Sequence, residues 1–231
     1  MRLPPLLAAM AFLAFATAGQ AQTNPVVVEL FTSQGCSSCP PADALLAELA
    51  EEDGVIALAL HVDYWDYLGW EDSFASPAFT ARQRAYAKKA RSRTIYTPQM
   101  IVQGEDRLVG SKGEMVRARI AERRHLEPRV RLKVERDGGT IDISLEPVAP
   151  ELGPADVHVV TFNPSEEVAI EAGENAGQQI TYTNIVTGWE TVAIWDGVTP
   201  VEMRYDGVED SPGAVIVQKD QMGPVLTAAR F

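Results

Sequence analysis

The chain has two cysteines, and both lie in one four-residue segment, Cys36-Ser37-Ser38-Cys39. The apolar run 26–31 precedes this segment and predicts a buried strand. Two prolines follow it, with leucines at helical spacing, as is typical of the start of an amphipathic helix. A cysteine at a helix N-terminus lies beside free backbone N–H groups and the positive end of the helix dipole, which stabilise a thiolate. The spacing therefore predicts a reactive cysteine pair between a strand and a helix.

The sequence leaves three uses of this pair open. A structural disulfide across so short a loop would contribute only about 2 kcal/mol by the chain-entropy relation. A closed tetrahedral metal site would need further ligands, and the chain has no third cysteine. A redox pair needs a C-x-x-C beside alternating strands and helices, and this chain has that pattern. We expect Cys36 and Cys39 to form a disulfide and to exchange it with other thiols.

The N-terminus is typical of a secretory signal peptide. Arg2 is followed by an apolar stretch to about residue 18 and then by small residues, which predicts a signal peptide over 1–21. The apolar core is shorter than the roughly 20 residues of a membrane-spanning helix, so we expect an exported protein, periplasmic or secreted, with no membrane attachment after cleavage. The formal net charge of −12 at pH 7 argues against nucleic acid partners.

The two halves of the chain differ in their hydrophobic period. Residues 22–127 alternate strand-like and helix-like patterns, which predicts an α/β domain. The expected strands there are 26–31, 55–61 and 99–102, and the expected helices are 40–51, 76–90 and 112–126. Residues 128–231 have a period of two, with a hairpin at Asp137-Gly138-Gly139 and further short strand-like runs. These runs predict an all-β domain, an antiparallel sandwich or partial barrel.

A second motif, Thr97-Pro98, lies at the entrance of the third expected strand. With this motif, the strand and the C-x-x-C at a helix start, the chain resembles the thioredoxin superfamily over 26–126. The resemblance implies a thioredoxin-like fold for the first domain and a cis Pro98 packed against the cysteine pair. It also implies that Thr97 contacts substrate.

A narrower resemblance covers Val28–Asp43 and Gly173–Gly177. These segments look like an exported bacterial thioredoxin-like family catalogued as a domain of unknown function. Unlike thioredoxin itself, the chain has Ser37-Ser38 between its cysteines and no tryptophan before Cys36. The direction of electron flow therefore stays open.

Two charged or titratable side chains interrupt the apolar strands. Glu29 lies in the first strand, where a carboxylate covered on both sheet faces would be buried and its pKa raised. The resemblance implies that such an acid carries a proton to and from Cys39, and the alternative is an ion-paired or solvent-reaching glutamate. His61 follows the second strand and is a candidate base or metal ligand, or a hydrogen-bonded structural histidine.

The segment 61–72 is longer than its thioredoxin counterpart and combines aromatic with acidic side chains. We expect Tyr64 and Trp65 in this insertion either to bind substrate or to pack locally.

The predicted function is that of an exported thiol–disulfide oxidoreductase that exchanges disulfides with protein clients. Cys36 attacks, Cys39 resolves the mixed disulfide, and Glu29 moves the proton. The predicted substrate-binding residues are Thr97, Pro98, Trp65 and Tyr64. No cofactor is expected, because the sequence has no nucleotide or flavin fingerprint. The alternatives are a copper-binding protein that uses Cys36, Cys39 and His61, and a non-catalytic binding module with a structural disulfide.

Overall fold

A computed structural model describes residues 24–231, so the signal peptide predicted at 1–21 lies outside the described residues. The helices of the described part are α1 (Pro40–Ala50), α2 (Pro77–Lys89) and α3 (Gly113–Arg124), with a 3₁₀ turn at Asp66–Leu68. Its strands are β1 (Val26–Thr32), β2 (Val55–His61), β3 (Gln99–Val102), β4 (Asp106–Val109), β5 (Val130–Asp137), β6 (Thr140–Pro147), β7 (Ala155–Ala169), β8 (Gln179–Trp195), β9 (Val201–Asp206), β10 (Gly213–Lys219) and β11 (Val225–Arg230).

Two of the three α-helices in the described part begin at a proline. Helix α1 starts with a proline directly after Cys39, and α2 starts with Pro77 after Ser76, whose hydroxyl accepts a hydrogen bond from the Ala78 backbone N–H at 3.2 Å. The predictions for β1, β2, β3 and the three helices are confirmed to within two residues.

One mixed sheet organises the described chain, in the strand order β11-β10-β7-β8-β2-β1-β3-β4. Strands β1 and β2 run parallel, and β3 and β4 continue the sheet antiparallel to β1. A second sheet of three strands, β5-β6-β9, packs against β7, β10 and β11 through a shared apolar core.

The central strands are covered on both faces, which explains their continuous apolar sequence. Val28 and Leu30 of β1 face α1 and α3, whereas Val27 and Phe31 face α2. Every residue of β1 and β2 is buried. The side-chain alternation of a strand therefore assigns Thr32 to the α1 face and Glu29 to the α2 face.

The predicted fold class, an α/β thioredoxin-like domain followed by a separate all-β domain, is wrong. The chain is mostly β, and its large sheet joins strands from before residue 127 to strands from after residue 128. The junction is β8, which pairs with β7 along its length and meets β2 at Ala59 and Ile185. Asn184 strengthens this junction, because its side-chain amide donates to the carbonyl of Ala57 at 2.9 Å.

Strand lengths explain why the sequence obscured this arrangement. Three short runs predicted between 157 and 195 belong to two long strands, β7 and β8, which form one extended hairpin. Register shifts at 157–158 and 161–162 interrupt the alternation along β7. The short edge strand β4 was not predicted, because its four residues are only partly buried or exposed.

Candidate active site

The two cysteines form a disulfide at the start of α1, as predicted. Their Cα atoms lie 5.4 Å apart, and the Cys39 backbone N–H donates to the Cys36 carbonyl at 3.1 Å. Cys39 occupies the N-cap position, so its carbonyl accepts the first hydrogen bonds of the helix. Cys36 is 2% exposed and Cys39 fully buried, while Ser37 and Ser38 between them are exposed. The disulfide therefore lies just beneath a polar surface.

Thr97 and Pro98 lie directly against this disulfide. The peptide bond between them is cis, as the resemblance implied. The Thr97 hydroxyl donates to Cys36 Sγ at 3.1 Å, and Trp65 Nε1 donates to the same hydroxyl at 2.7 Å. The structure thus brings together residues that are about 60 positions apart in the sequence.

The insertion 61–72 covers one side of the disulfide loop. The Trp65 ring contacts those of Tyr64 and Tyr67, whose centroids are 5.8 and 6.5 Å away. Trp70 Nε1 donates to the side-chain oxygen of Gln34 at 2.7 Å, and Asp72 accepts from the Gln34 backbone N–H at 2.8 Å. These contacts fix the loop that precedes the cysteines.

The connection between β7 and β8 covers the other side. The buried side-chain amide of Asn175 donates to the carbonyls of Gln34 and Cys36 at 2.9 and 3.1 Å. Ser37 donates to the carboxylate of Glu174 at 2.7 Å. Sequence reasoning noted this segment only as part of the family resemblance and gave Asn175 no role.

A cluster of buried polar side chains lies behind the disulfide, and we call it the site cluster: Thr32, Asp43, His61, Asp72 and Tyr182. Asp43 accepts from the Thr32 hydroxyl at 2.8 Å, and His61 Nδ1 lies 2.7 Å from Asp72 Oδ2. Three atoms, Asp43 Oδ2, His61 Nε2 and the Tyr182 hydroxyl, have no hydrogen-bond partner among the described residues. The cluster therefore has unused donor and acceptor capacity.

Electrostatics give Asp43 a proton affinity suited to neutral pH. Burial raises the pKa of Asp43 to about 7, although the charge of His61 and the Thr32 hydrogen bond oppose this rise. Asp43 lies one helical turn after Cys39, at the i+4 position of the same helix face. Sequence reasoning missed Asp43, whose signal was an acid on the apolar face of α1.

Glu29 lies on the opposite face of the sheet, in a second group that we call the ion-pair cluster: Glu29, Arg82, Tyr86, Gln218 and Trp189. Arg82 binds both carboxylate oxygens of Glu29, at 2.6 and 3.0 Å, and Tyr86 donates to one of them at 2.5 Å. The guanidinium also reaches Gln218 at 2.9 Å and lies 3.7 Å from the centre of the Trp189 ring. Glu29 is thus the ion-paired glutamate of the two alternatives.

His61 is fully buried and bound to Asp72. Within residues 24–231, no group of three or more His, Cys, Asp or Glu side chains is arranged to hold a metal ion. Across the same residues, none of the helices has both the length and the apolar character needed to span a bilayer.

Comparison with known proteins assigns this chain to a family. Residues 27–218 match the model of a family described as a protein of unknown function, DUF1223. The chain belongs to the DUF1223 family. No match was found among curated proteins.

Solved structures that are similar to this DUF1223 chain include the following two. The crystal structure of protein AGR_C_4864 from Agrobacterium tumefaciens, a structural-genomics target, is 32% identical in sequence with a TM-score of 0.78, and the match covers 91% of this chain and 96% of that one. HBP35 of Porphyromonas gingivalis is 14% identical with a TM-score of 0.60, over 90% of this chain and 75% of that one, and the likeness is one of fold alone.

Proposed function

We propose that this DUF1223 chain is an exported thiol–disulfide oxidoreductase that exchanges its Cys36–Cys39 disulfide with protein clients. The observation that carries the proposal is the hydroxyl of Thr97, which donates to Cys36 Sγ beside a disulfide at a helix N-terminus. A structural disulfide needs no such donor. A hydrogen bond to sulfur strengthens when the sulfur becomes an anion, so this arrangement favours a reactive thiolate.

The local geometry resembles the active site of the thioredoxin superfamily. A strand, a C-x-x-C at a helix start and a cis Thr97–Pro98 bond before an antiparallel strand occur together here. This likeness concerns the site only, and the predicted fold of two separate domains is still wrong.

The exchange balances without a cofactor. A client thiolate attacks Cys36 Sγ, a mixed disulfide forms, and Cys39 leaves as a thiolate that takes up a proton. A second client thiol, after losing its proton, displaces Cys36, so the client becomes a disulfide and the chain a dithiol. The reverse sequence reduces a client disulfide, with Cys39 as the resolving thiol. The relative reduction potentials of the two pairs decide the direction.

Asp43 is the proton carrier of this proposal, in place of Glu29. A carboxyl group with a pKa near 7 is protonated in part of the molecules and ionised in the rest at neutral pH, as general acid–base chemistry requires. Glu29 has both oxygens engaged by Arg82 and lies across the sheet from α1.

The insertion supplies the proposed client surface. Tyr67 is 78% exposed and stacks on Trp65, which contacts Thr97. An exposed aromatic stack beside a reactive sulfur suits an extended client segment, with Tyr64, Trp65, Thr97 and Pro98 as its contacts. The signal-peptide pattern at 1–21 supports export, and an oxidising compartment outside the cytosol is where disulfides persist.

Trapping tests the proposal. A Cys39→Ser variant, expressed with its leader, is expected to accumulate mixed disulfides between Cys36 and client proteins, because the resolving thiol is missing. These adducts are separated without reductant and identified by mass spectrometry. The Cys36→Ser/Cys39→Ser variant is the matched control. Absence of any adduct above that control would refute client exchange.

A further inference from the structure

We propose that Trp65 is a positioning residue that directs the hydroxyl proton of Thr97 onto Cys36 Sγ and thereby sets the redox potential of the cysteine pair. The inference rests on the proposed disulfide exchange and deepens it. The three groups Trp65, Thr97 and Cys36 form a chain of hydrogen bonds, which we call the relay.

An indole N–H can only donate a hydrogen bond, whereas a hydroxyl has one proton and two acceptor lone pairs. Trp65 Nε1 lies 2.7 Å from Thr97 Oγ1, so the hydroxyl oxygen must be the acceptor in that contact. The single hydroxyl proton is then free for another acceptor. Cys36 Sγ, 3.1 Å away and without a proton in the disulfide, receives it.

Tyr64 is the competing acceptor for this proton. Its own hydroxyl proton goes to Gln83 Oε1 at 3.2 Å, which leaves the phenol oxygen able to accept. Burial raises the pKa of Tyr64 to about 12, while the bond to Gln83 and the nearby Thr97 hydroxyl oppose this rise. The hydrogen bond that the structure shows for the Thr97 proton is the one to Cys36 Sγ at 3.1 Å.

Trp65 packs closely against the loop that carries the cysteines. Gly35 precedes Cys36, and a Cβ atom at Gly35 would lie 3.3 Å from Trp65 Cβ, closer than most side-chain contacts. The rings of Tyr64 and Tyr67 flank the Trp65 ring. These contacts hold Trp65 Nε1 in a fixed position relative to Thr97.

The hydrogen-bond relay from Trp65 through Thr97 to Cys36 stabilises the reduced form of the cysteine pair more than the disulfide. A hydroxyl binds a thiolate more tightly than a disulfide sulfur, because a hydrogen bond to an ion is stronger than one to a neutral atom. Trp65 therefore stabilises the Cys36 thiolate. The result is a more oxidising cysteine pair and a nucleophile that forms at lower pH.

A double-mutant cycle tests the relay. Trp65→Phe removes the indole N–H and keeps a ring, and Thr97→Val removes the hydroxyl and keeps the branched shape. The readouts are the pH midpoint of Cys36 alkylation in reduced protein and the equilibrium constant with glutathione at pH 7. Thr97→Val should shift that equilibrium about tenfold toward the disulfide, or about 30 mV. Trp65→Phe should shift it about threefold in wild type, a change of roughly 0.7 kcal/mol, and not at all in the Thr97→Val background.

Several controls separate the relay from general damage to the fold. Trp65→Leu, a second variant without a donor, should match Trp65→Phe. Trp70→Phe removes another indole N–H of the insertion, one that serves Gln34, and should leave both readouts unchanged. Tyr64→Phe removes the competing acceptor and should lower the pH midpoint of Cys36 alkylation; a raised midpoint would count against the relay.

Equal effects of Trp65→Phe with and without the Thr97 hydroxyl would overturn the inference, as would a Trp70→Phe shift of the same size. Both readouts use only this chain and glutathione. A failed client trap with an intact Trp65 effect would therefore count against the proposed function alone, and the converse result would count against the relay alone.

Discussion

Two buried carboxylates on opposite faces of one sheet have very different surroundings. Glu29, in the ion-pair cluster, has both oxygens bound by Arg82 and a further bond from Tyr86. Asp43, in the site cluster, has one oxygen bound by Thr32 and the other without a partner in the described chain. A fully bound carboxylate holds segments together, whereas a partly bound one has an oxygen free to take up a proton. Burial alone therefore does not identify a catalytic acid.

The largest effect is expected from breaking the ion pair. Glu29→Gln should lower the free energy of unfolding by about 3–5 kcal/mol, because it leaves the Arg82 charge buried without its partner. Urea denaturation of the oxidised protein measures this loss. Glu48→Gln, in an exposed pair with Arg117, is the control and should change the free energy by less than about 1 kcal/mol.

The same variant tests the sequence-based role of Glu29. If Glu29→Gln kept its stability and lost disulfide exchange, Glu29 would be the proton carrier and the contrast with Asp43 would fail.

Asp43 should produce a pH-dependent effect. The folded pKa of Asp43, about 7, lies above its ordinary value. The stabilisation that this raised pKa contributes is therefore complete below about pH 4 and is lost as the pH rises through 7. Asp43→Asn keeps an acceptor for Thr32 and has no carboxyl to ionise. Its free energy of unfolding should therefore gain roughly 2–4 kcal/mol on wild type between pH 4 and pH 8, measured by urea denaturation.

Asp196→Asn is a control of opposite sign. Hydrogen bonds from the Thr199 and Val198 backbones lower the pKa of this exposed carboxyl. Asp196→Asn should therefore lose stability relative to wild type only as the pH rises through the range below about 4, and should run parallel to wild type between pH 4 and pH 8. A flat pH difference for Asp43→Asn would show that Asp43 is ionised throughout this range.

His158, which contacts the Trp189 ring of the ion-pair cluster, should give the reverse pH dependence. Burial, and then the charge of Arg82, lower the pKa of His158 to about 3. The unfolded chain binds a proton near pH 6.5 and the folded chain does not, so wild-type stability falls as the pH drops below 6.5. His158→Gln should remove roughly 1–3 kcal/mol of this loss between pH 7 and pH 4. His125→Gln, at an exposed position, should leave the slope unchanged, and an equal change there would exclude His158 as the cause.

The smallest effect is expected at the connection that covers the disulfide. Asn175→Ala removes a donor from the Gln34 and Cys36 carbonyls, of which Cys36 keeps the Cys39 N–H, and should lower the free energy of unfolding by about 1–2 kcal/mol. Gln178→Ala removes only a bond to the Asn175 oxygen and should change it by less than about 0.5 kcal/mol. Thermal unfolding of both oxidised variants gives the comparison, and equal losses would show that Asn175 does not hold the loop.

Local features were predictable from the sequence because they depend on neighbouring residues. The strand, the C-x-x-C and the proline-started helix lie within 25 consecutive residues, and the structure has all three in place. The hairpin of β5 and β6 follows from its alternation and its Asp137-Gly138-Gly139 turn. Hydrogen-bond and ion-pair partners that are distant in the sequence could not be predicted, because no pattern of neighbouring residues indicates them. Arg82 lies 53 residues from Glu29, and Asn175 lies 139 residues from Cys36.

The sequence by itself determined the elements around the cysteines and the disulfide between them, because side-chain period, capping residues and a three-residue separation act over short distances. Only the tertiary structure decided that β8 would join both halves into one sheet, since any unpaired strand edge offers the same backbone donors and acceptors. It also decided which buried acid was fully paired. Ion pairing requires two side chains to meet in space, and the pairing of β1 with its neighbours places Glu29 beside Arg82 and leaves Asp43 behind the disulfide.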